Sequence, residues 1–252
     1  MSLLISEAVS GRLNGIQATT SPMTYEEALD TQANLQWPPI IYKDGGWHQA
    51  TPEEVDEELN PANSLEGDEV LQHLNLAQVP DASVADLDDF LEGQGVLEGM
   101  GVIFLAGGLI QNVDPIYLAV HSSLESGRGT SKLATGTVEG YEGWYNVFGI
   151  GAIDENPNER GAQYAKEKGW DSAAKAIYGG IKWISYFYIH AGQNTLYKMK
   201  WNPKSPGDHQ YATDIGWSRK QATRIASHYR TFGDIEACWD LPNYAAEEDV
   251  NV

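Results

Sequence analysis

Apolar residues at helical spacing define the most informative element of this chain, which ends at two closely spaced glycines. The inward face of this predicted helix is marked by four apolar residues, namely Ile116, Tyr117, Val120 and Leu124. Asp114 is a suitable N-cap, and Pro115 occupies the first helical position, where its missing N–H costs nothing. Gly127 and Gly129 then stop the helix. The pattern therefore predicts a helix that ends close to residue 125.

The last turn of this predicted helix carries one carboxyl group, that of Glu125. An anion is disfavoured at the negative end of the helix dipole, and apolar surroundings add a desolvation penalty to ionisation. Both effects raise the pKa of a carboxyl group, which suits a general acid that works near neutral pH. The alternative is a solvated glutamate at a helix end, and the local features alone leave both interpretations open.

Further helices are predicted over residues 24–35, 51–59, 84–91, 97–113, 172–190 and 214–229. Thr51 begins a capping-box pattern, and Asp171 and Asp214 are the predicted caps of the last two helices. Gly179 and Gly180 lie inside one of these helices, where they reduce its stability and indicate close helix packing. Residues 37–47 are typical of an extended segment with a tight turn.

Residues 135–150 have a different character, because two β-prone runs flank Gly140 and Gly143 and predict a hairpin. The sequence therefore predicts a mainly helical α+β protein with one small hairpin. Composition changes near residue 80, so we expect an acidic accessory extension at 1–80, a main domain at 81–245 and an acidic tail at 246–252. Residues 1–20 are expected to be poorly ordered.

Charge is distributed unevenly along the 252 residues, whose formal net charge is −20. The first 100 residues carry nineteen acidic side chains and only Arg12 and Lys43 as basic ones. Nucleic acid and anionic membranes are disfavoured as partners, because phosphate recognition needs a basic surface. No apolar run is long enough to span a membrane, and the first residues lack the pattern of a signal peptide.

Metal and cofactor sites are not expected. Cys238 is the only cysteine, which excludes a disulfide within the chain and a cysteine zinc cluster. His121, His190 and His209 are too scattered to match a metal-binding spacing, so we interpret them as structural histidines.

Four collinear motifs carry a family resemblance: SLESGRGTSKLA at 123–134, YNVFGIGA at 145–152, GQNTLYKMKWNP at 192–203 and HQYATD at 209–214. Together they resemble the glycoside hydrolase family 73 glucosaminidases, in particular the modules of Gram-positive major autolysins. The resemblance covers roughly residues 84–232, and weaker similarity extends upstream through residues 23–32, 50–55 and 59–63.

The resemblance implies a lysozyme-like fold, in which a helical lobe and a small β-lobe flank a substrate cleft. It implies hydrolysis of peptidoglycan glycan strands between N-acetylglucosamine and N-acetylmuramic acid, which leaves N-acetylglucosamine at the new reducing end. The expected protein is a monomer that acts in the bacterial cell wall, as an autolysin or as a phage lysin on the host wall.

Catalytic roles also follow from the resemblance. Glu125 matches the family's general acid, and Tyr211 matches a tyrosine of the cleft. Glu139 is favoured as the second carboxylate, while Glu142 and Asp154 stay open as alternatives, as does the acetamido group of the substrate acting as an internal nucleophile.

Sugar rings present apolar faces and hydroxyl edges, so aromatic and amide side chains suit the lining of the cleft. The candidates are Trp144, Tyr145, Asn146, Phe148, Gln193, Asn194, Tyr197 and Trp201. Packing is the alternative role for these residues, because large aromatic side chains dominate protein cores.

Two other functions fit the same motifs. A lytic transglycosylase shares the fold and a single catalytic glutamate, but closes the muramyl ring internally without water. A non-catalytic wall-binding module is the alternative from a different class.

Overall fold

The computed structural model describes residues 13–152, 156–230 and 237–246. It divides into two compact units. The first unit comprises the described residues up to Asn75, Gly192–Ala226 and residues 237–246. The second unit comprises the described residues of Leu76–Ala191 together with residues 227–230. The predicted accessory and catalytic domains on either side of residue 80 stay a prediction.

The first half of the chain contains three strands and five of the helices. In chain order these are β1 (Leu13–Thr24), α1 (Tyr25–Ala33), β2 (Ile40–Lys43), β3 (Gly46–Gln49), α2 (Pro52–Leu59), α3 (Val84–Leu91), α4 (Gly101–Gln111) and α5 (Pro115–Glu125). Short 3-10 turns lie at Pro61–Ser64, Gly67–His73 and Gly95–Leu97.

The second half adds further helices and a final strand. These are α6 (Lys132–Thr135), α7 (Pro157–Lys168), α8 (Ala173–Ile184), α9 (Leu196–Trp201), α10 (Trp217–Tyr229) and β4 (Ala237–Ala245), and a π-helical turn, Ser185–Ile189, continues α8. The mainly helical class is confirmed, and every predicted helix has a counterpart. The helix predicted over 97–113 is shorter in the structure, and Ser172 rather than Asp171 caps α8.

A two-stranded parallel sheet of β1 and β4 was not predicted. Residues 13–20, which were expected to be poorly ordered, form most of β1, while residues 1–12 lie outside the described chain. Lys198 of α9 reaches both strands through a buried ion pair to Asp240 and a hydrogen bond to Thr19. The sheet is therefore fixed by an interaction between residues far apart in the sequence, which local patterns do not reveal.

The extended segment and turn predicted over 37–47 form the antiparallel hairpin of β2 and β3. Behind it lies the core of the first unit, which consists of Ala50, Val55, Leu59, Tyr197, Trp201 and Ile215. Thr51 caps α2 through the predicted capping box, because its hydroxyl accepts from the N–H of Glu54 and the Glu54 carboxylate accepts from the N–H of Thr51.

The second unit is a helical assembly in which α4 packs against α5 and α8. Glycines permit this close approach, as predicted for Gly179 and Gly180. A β-carbon at Gly179 would lie 2.1 Å from Trp170 Nε1, and one at Gly107 of α4 would lie 2.7 Å from Ile181 Cδ1.

The β-hairpin predicted over 135–150 is wrong, because these described residues form turns and no strand. Two of the backbone donors bond outside the segment, from Tyr145 N–H to the carbonyl of Trp170 and from Asn146 N–H to that of Leu133. Gly140 and Gly143 adopt φ angles of 79° and 84°, which interrupt an extended strand.

Across the parts of the chain that the structure describes, every helix is too short or too polar to cross a membrane.

Candidate active site

The helix α5 that carries Glu125 is anchored at its N-terminus by a buried carboxyl group. Asp114 Oδ1 accepts hydrogen bonds from the N–H groups of Ile116 and Tyr117 at 2.8 and 3.2 Å. The hydroxyl of Tyr229 donates to the other oxygen of Asp114. Burial raises the pKa of Asp114 to about 6, while these three donors oppose the rise. The predicted N-cap is therefore confirmed, and it joins α5 to the end of α10.

A tight corner follows Glu125, with φ angles of 58° at Gly127, 57° at Arg128 and 70° at Gly129. Glycine is required at position 129, because a β-carbon there would lie 2.2 Å from the carbonyl oxygen of Gln94. The carbonyl of Gly129 accepts from the N–H of Val96 at 3.2 Å. The corner is therefore held by the chain that precedes α4.

Glu125 is partly exposed, since its side chain keeps 29% of its accessible surface. Its Oε1 lies 3.7 Å from Nε2 of the fully buried His121, whose Nδ1 lies 2.7 Å from the hydroxyl of Tyr117. Burial lowers the pKa of His121 to about 3, so this imidazole is neutral at ordinary pH. The contact with Glu125 is therefore not an ion pair, and His121 is a structural histidine as predicted.

The motif at 145–152 forms a loop that lies beside Glu125. Asn146 organises this loop: its amide donates to the carbonyls of Ile150 and Gly161, and its oxygen accepts from the N–H of Ile150. A β-carbon at Gly149 would lie 3.9 Å from Glu125 Oε2, so the loop backbone directly adjoins the carboxyl group.

Burial separates the lining candidates of the second unit into two kinds. Asn146 and Phe148 are 1% and 2% exposed, so they shape the loop from inside and have almost no surface with which to contact a ligand. Trp144 and Tyr145 are half-buried and keep accessible surface.

The candidates for the second carboxylate also lie in this unit. Glu139 and Glu142 are exposed, and Glu142 Oε1 accepts from the N–H of Gly140 at 3.2 Å. Asp154 lies outside the described residues.

The remaining candidates lie in the first unit. Tyr211 is half-buried and stacks on Trp217, with ring centroids 4.7 Å apart and an interplanar angle of 27°. Asn194 is also half-buried, and its amide donates to Asn75 Oδ1 at 2.7 Å. Both keep surface that a ligand can reach.

Three lining candidates of the first unit have structural roles instead. Tyr197 and Trp201 are fully buried in the core, where the Tyr197 hydroxyl donates to the carbonyl of Leu59 at 2.6 Å. Gln193 is 4% exposed, and its amide donates to the carbonyls of Lys198 and His209. The aromatic and amide residues of these motifs are typical of a sugar-binding groove, but the local sequence did not indicate which of their side chains face the core.

Sequence reasoning missed two serines that fix the end of α5 to neighbouring segments. Ser122 donates to the carbonyl of Val147 at 3.3 Å, and Ser123 donates to the side-chain oxygen of Gln94. The available signal was the presence of two polar residues on a mainly apolar helix, two and three positions before Glu125.

No group of three His, Cys, Asp or Glu side chains suited to a metal ion occurs within residues 13–152, 156–230 and 237–246.

A family model described as glucosaminidase, mannosyl-glycoprotein endo-beta-N-acetylglucosaminidase, matches residues 106–230. The bifunctional autolysin of Staphylococcus aureus strain MSSA476 is 39% identical over 240 residues, which are 91% of this chain and 19% of that protein. The chain thus spans about a fifth of the length of this curated relative.

Solved structures agree in fold. A crystal structure of major bifunctional autolysin has a TM-score of 0.72 and 38% identity, and the match covers 92% of this chain and all of that one. A catalytic mutant of S. aureus autolysin E, crystallised with the disaccharide NAG-NAM, has a TM-score of 0.77 and 32% identity over 89% of this chain and 99% of its own.

The fold and these matches define the class of lysozyme-like glucosaminidase modules. The chain belongs to the glucosaminidase family, so the resemblance carried by the four motifs is confirmed.

Proposed function

We propose that this chain hydrolyses the glycosidic bond between N-acetylglucosamine and N-acetylmuramic acid in peptidoglycan, with Glu125 as the general acid. The observation that carries this proposal is the position of Glu125, a partly exposed carboxyl group at the end of α5 with the Gly149 backbone beside it. The autolysin relatives and the NAG-NAM complex of autolysin E support the substrate.

Cleavage of a glycoside passes through a state with oxocarbenium character, so the leaving oxygen must receive a proton. Glu125 keeps enough exposed surface to reach that oxygen. His121 does not hold the carboxyl group in an ion pair, because its buried imidazole is neutral. Gly149 presents no side chain to the carboxyl group, which leaves room on that side for a sugar.

The second catalytic group is proposed to be Glu139, with Glu142 as the alternative. Both side chains are exposed and therefore able to approach a bound sugar or activate a water molecule. A base that works through water favours inversion at the anomeric carbon, whereas the acetamido group of the substrate acting as nucleophile favours retention. Tyr211, with surface exposed beside Trp217, is proposed to orient water or to stabilise the developing charge.

The site of action is proposed to be the bacterial cell wall, with glycan strands as the partner and a monomer as the active form. The name of the bifunctional autolysin supports this setting for an autolysin, and a phage lysin that acts on the host wall is the alternative.

Mass spectrometry of digested cell walls tests the proposal, with the wild type, Glu125→Gln and Glu98→Gln compared in parallel. Glu98 is an exposed glutamate of the same unit and serves as the matched control. The wild type and Glu98→Gln should release fragments with reducible N-acetylglucosamine ends. Glu125→Gln should release none while it stays folded, because an amide cannot donate the proton.

Other products identify the alternative functions. Anhydro-muramyl ends would show that the protein is a lytic transglycosylase and not a hydrolase. Wall binding without any cleavage at any pH would favour a binding module, and cleavage by Glu125→Gln at the wild-type rate would refute the catalytic assignment.

A further inference from the structure

The hairpin of β2 and β3 presents two aromatic rings in a fixed arrangement. Its turn, Asp44 and Gly45, has φ angles of 52° and 81°, the positive pair that a two-residue type I′ turn requires. This turn places Tyr42 directly opposite Trp47 in the register of the strands. Their ring centroids lie 5.3 Å apart with an interplanar angle of 71°. The pair is therefore held by the backbone rather than by a surrounding core.

Both rings are largely exposed, by 54% for Tyr42 and 55% for Trp47. Side chains alternate between the two faces of a strand, so Ile41 lies on the opposite face. Ile41 packs on the core of the first unit. The aromatic pair accordingly belongs to the outward face of the hairpin.

Polar groups surround the pair. Lys220 Nζ lies 5.5 Å from the centroid of the Trp47 ring and also donates to Asp214 Oδ2 at 2.7 Å. Gln49 is exposed at the end of the same face, in register with Ile40. The pair therefore combines apolar ring surface with hydrogen-bonding groups, Lys220 over one face of the Trp47 ring and Gln49 beside it, which is the combination that a sugar ring requires.

The hairpin is continuous with the segment that carries Tyr211. The N–H of Ile40 donates to the carbonyl of Thr213 at 3.1 Å, and the N–H of Ile215 donates to the carbonyl of Ile40 at 2.9 Å. Lys220, on the helix α10 that begins at Trp217, then links Asp214 to the Trp47 ring. The aromatic pair and the proposed site residue Tyr211 are therefore held in one hydrogen-bonded framework within the first unit.

We propose that Tyr42 and Trp47 form a binding platform for a sugar ring of a β-linked amino-sugar strand, the same polymer that the proposed function cleaves. This inference deepens the proposed function and takes its ligand class from it. An additional ring contact of this kind increases affinity for long strands more than for short fragments.

A protein partner fits this surface less well. Two side chains bounded by Lys220 and Asp214 expose far less apolar area than the roughly 800 Å² that each partner contributes to a stable interface. A polyanionic ligand is disfavoured as well, because the net charge of the chain is −20.

Binding is best measured in the Glu125→Gln background, so that the strands stay intact. Calorimetry with a chitin hexasaccharide and with chitobiose compares the parent with Tyr42→Ala, Trp47→Ala and Trp47→Phe. Tyr186→Ala, which removes a 74% exposed ring from the second unit, is the matched control. Trp47→Ala and Tyr42→Ala should weaken hexasaccharide binding by about fivefold or more and change chitobiose binding less. Trp47→Phe should restore part of the loss.

In the active background, Trp47→Ala should raise KM for long glycan strands and leave kcat unchanged. Unaltered hexasaccharide affinity in both alanine variants, or an equal loss in Tyr186→Ala, would overturn the platform. Self-association that Trp47→Ala abolishes would instead identify the pair as a contact between two copies of the chain, which also overturns it. Strand binding that depends on Trp47 in a protein that never cleaves would retain the platform and reject the proposed reaction.

Discussion

Phe148 packs directly on Gly180, so closely that a β-carbon at residue 180 would lie 2.2 Å from Phe148 Cδ2. Phe148 is 2% exposed, and the residue that follows it, Gly149, adjoins Glu125. The helix α8 therefore determines where the loop backbone lies beside the carboxyl group. A glycine that reduces helix propensity is retained here because no larger residue leaves room for the ring.

Gly180→Ala should displace the Phe148 ring and with it the loop. Overpacking of this kind costs about 1–3 kcal/mol, which exceeds the gain of up to roughly 1 kcal/mol in helix propensity. We expect a lower free energy of unfolding in chemical denaturation. We also expect wall-clearing activity to fall by a larger fraction than the free energy of unfolding does.

The double variant Gly180→Ala with Phe148→Leu provides the control. A smaller side chain at 148 should recover part of the stability, so the two substitutions should be non-additive. Additive effects would show that the contact does not limit the position of the loop.

Glu139→Gln and Glu142→Gln together identify the second catalytic group. A general base contributes about 10²- to 10⁴-fold, so Glu139→Gln should reduce turnover by at least the lower figure. Glu142→Gln should have a smaller effect, because its oxygen can still accept from the N–H of Gly140. Turnover of both variants on purified peptidoglycan, at matched fold stability, measures this. Full activity in both would leave Asp154 or the acetamido group of the substrate as the second catalytic group.

The helix that carries Glu125 was predictable because its signals are local. Asp114, Pro115 and the glycines after Glu125 are adjacent in sequence to what they control. The conformation of residues 135–150 was not predictable in the same way. Their β-prone composition favoured a hairpin that does not form, because partners of their N–H groups, such as the carbonyl of Trp170, lie far along the chain.

The burial of the motif residues was unpredictable for the same reason. Tyr197 and Trp201 were candidates for the lining of the cleft because they are aromatic, yet their side chains fill the core of the first unit. Their positions depend on packing against Leu59 and Ile215, which periodicity within a six-residue helix does not specify.

The buried pair of Lys198 and Asp240 holds β4 to α9. Their side chains are 3% and 8% exposed, and the Nζ to Oδ2 distance is 2.6 Å. Lys198→Met leaves the Asp240 charge buried beside Thr19 alone, so we expect a loss of about 3–5 kcal/mol in the free energy of unfolding. Chemical denaturation measures the change.

Removing both charges should cost less than removing one. The double variant Lys198→Met with Asp240→Asn is therefore expected to be more stable than Lys198→Met. A double variant at least as unstable as the single one would mean that the pair does not act as a unit.

His73 should make the stability of the protein sensitive to acid. The ring is fully buried, with Nε2 2.8 Å from Ser64 Oγ, and burial lowers its pKa to about 3. The unfolded chain takes up a proton near pH 6.5, while the folded chain resists protonation until about pH 3. Stability from the neutral ring is therefore present above pH 6.5 and is lost as the pH falls towards 3, at about 1.4 kcal/mol per pH unit.

In His73→Gln, residue 73 no longer takes up a proton on unfolding, so it no longer contributes to the pH dependence of stability. Between pH 6.5 and 4, the free energy of unfolding of the wild type should fall more steeply than that of the variant, although His121 contributes a similar slope to both proteins. Asp114 works in the opposite direction in both, since its raised pKa favours the folded state at acid pH. The comparison therefore isolates the contribution of one histidine.

His48→Gln, at an exposed position of β3, controls for the substitution itself. Parallel curves for the wild type and His73→Gln would contradict the assignment, because a buried ring that resists protonation must produce a difference in slope.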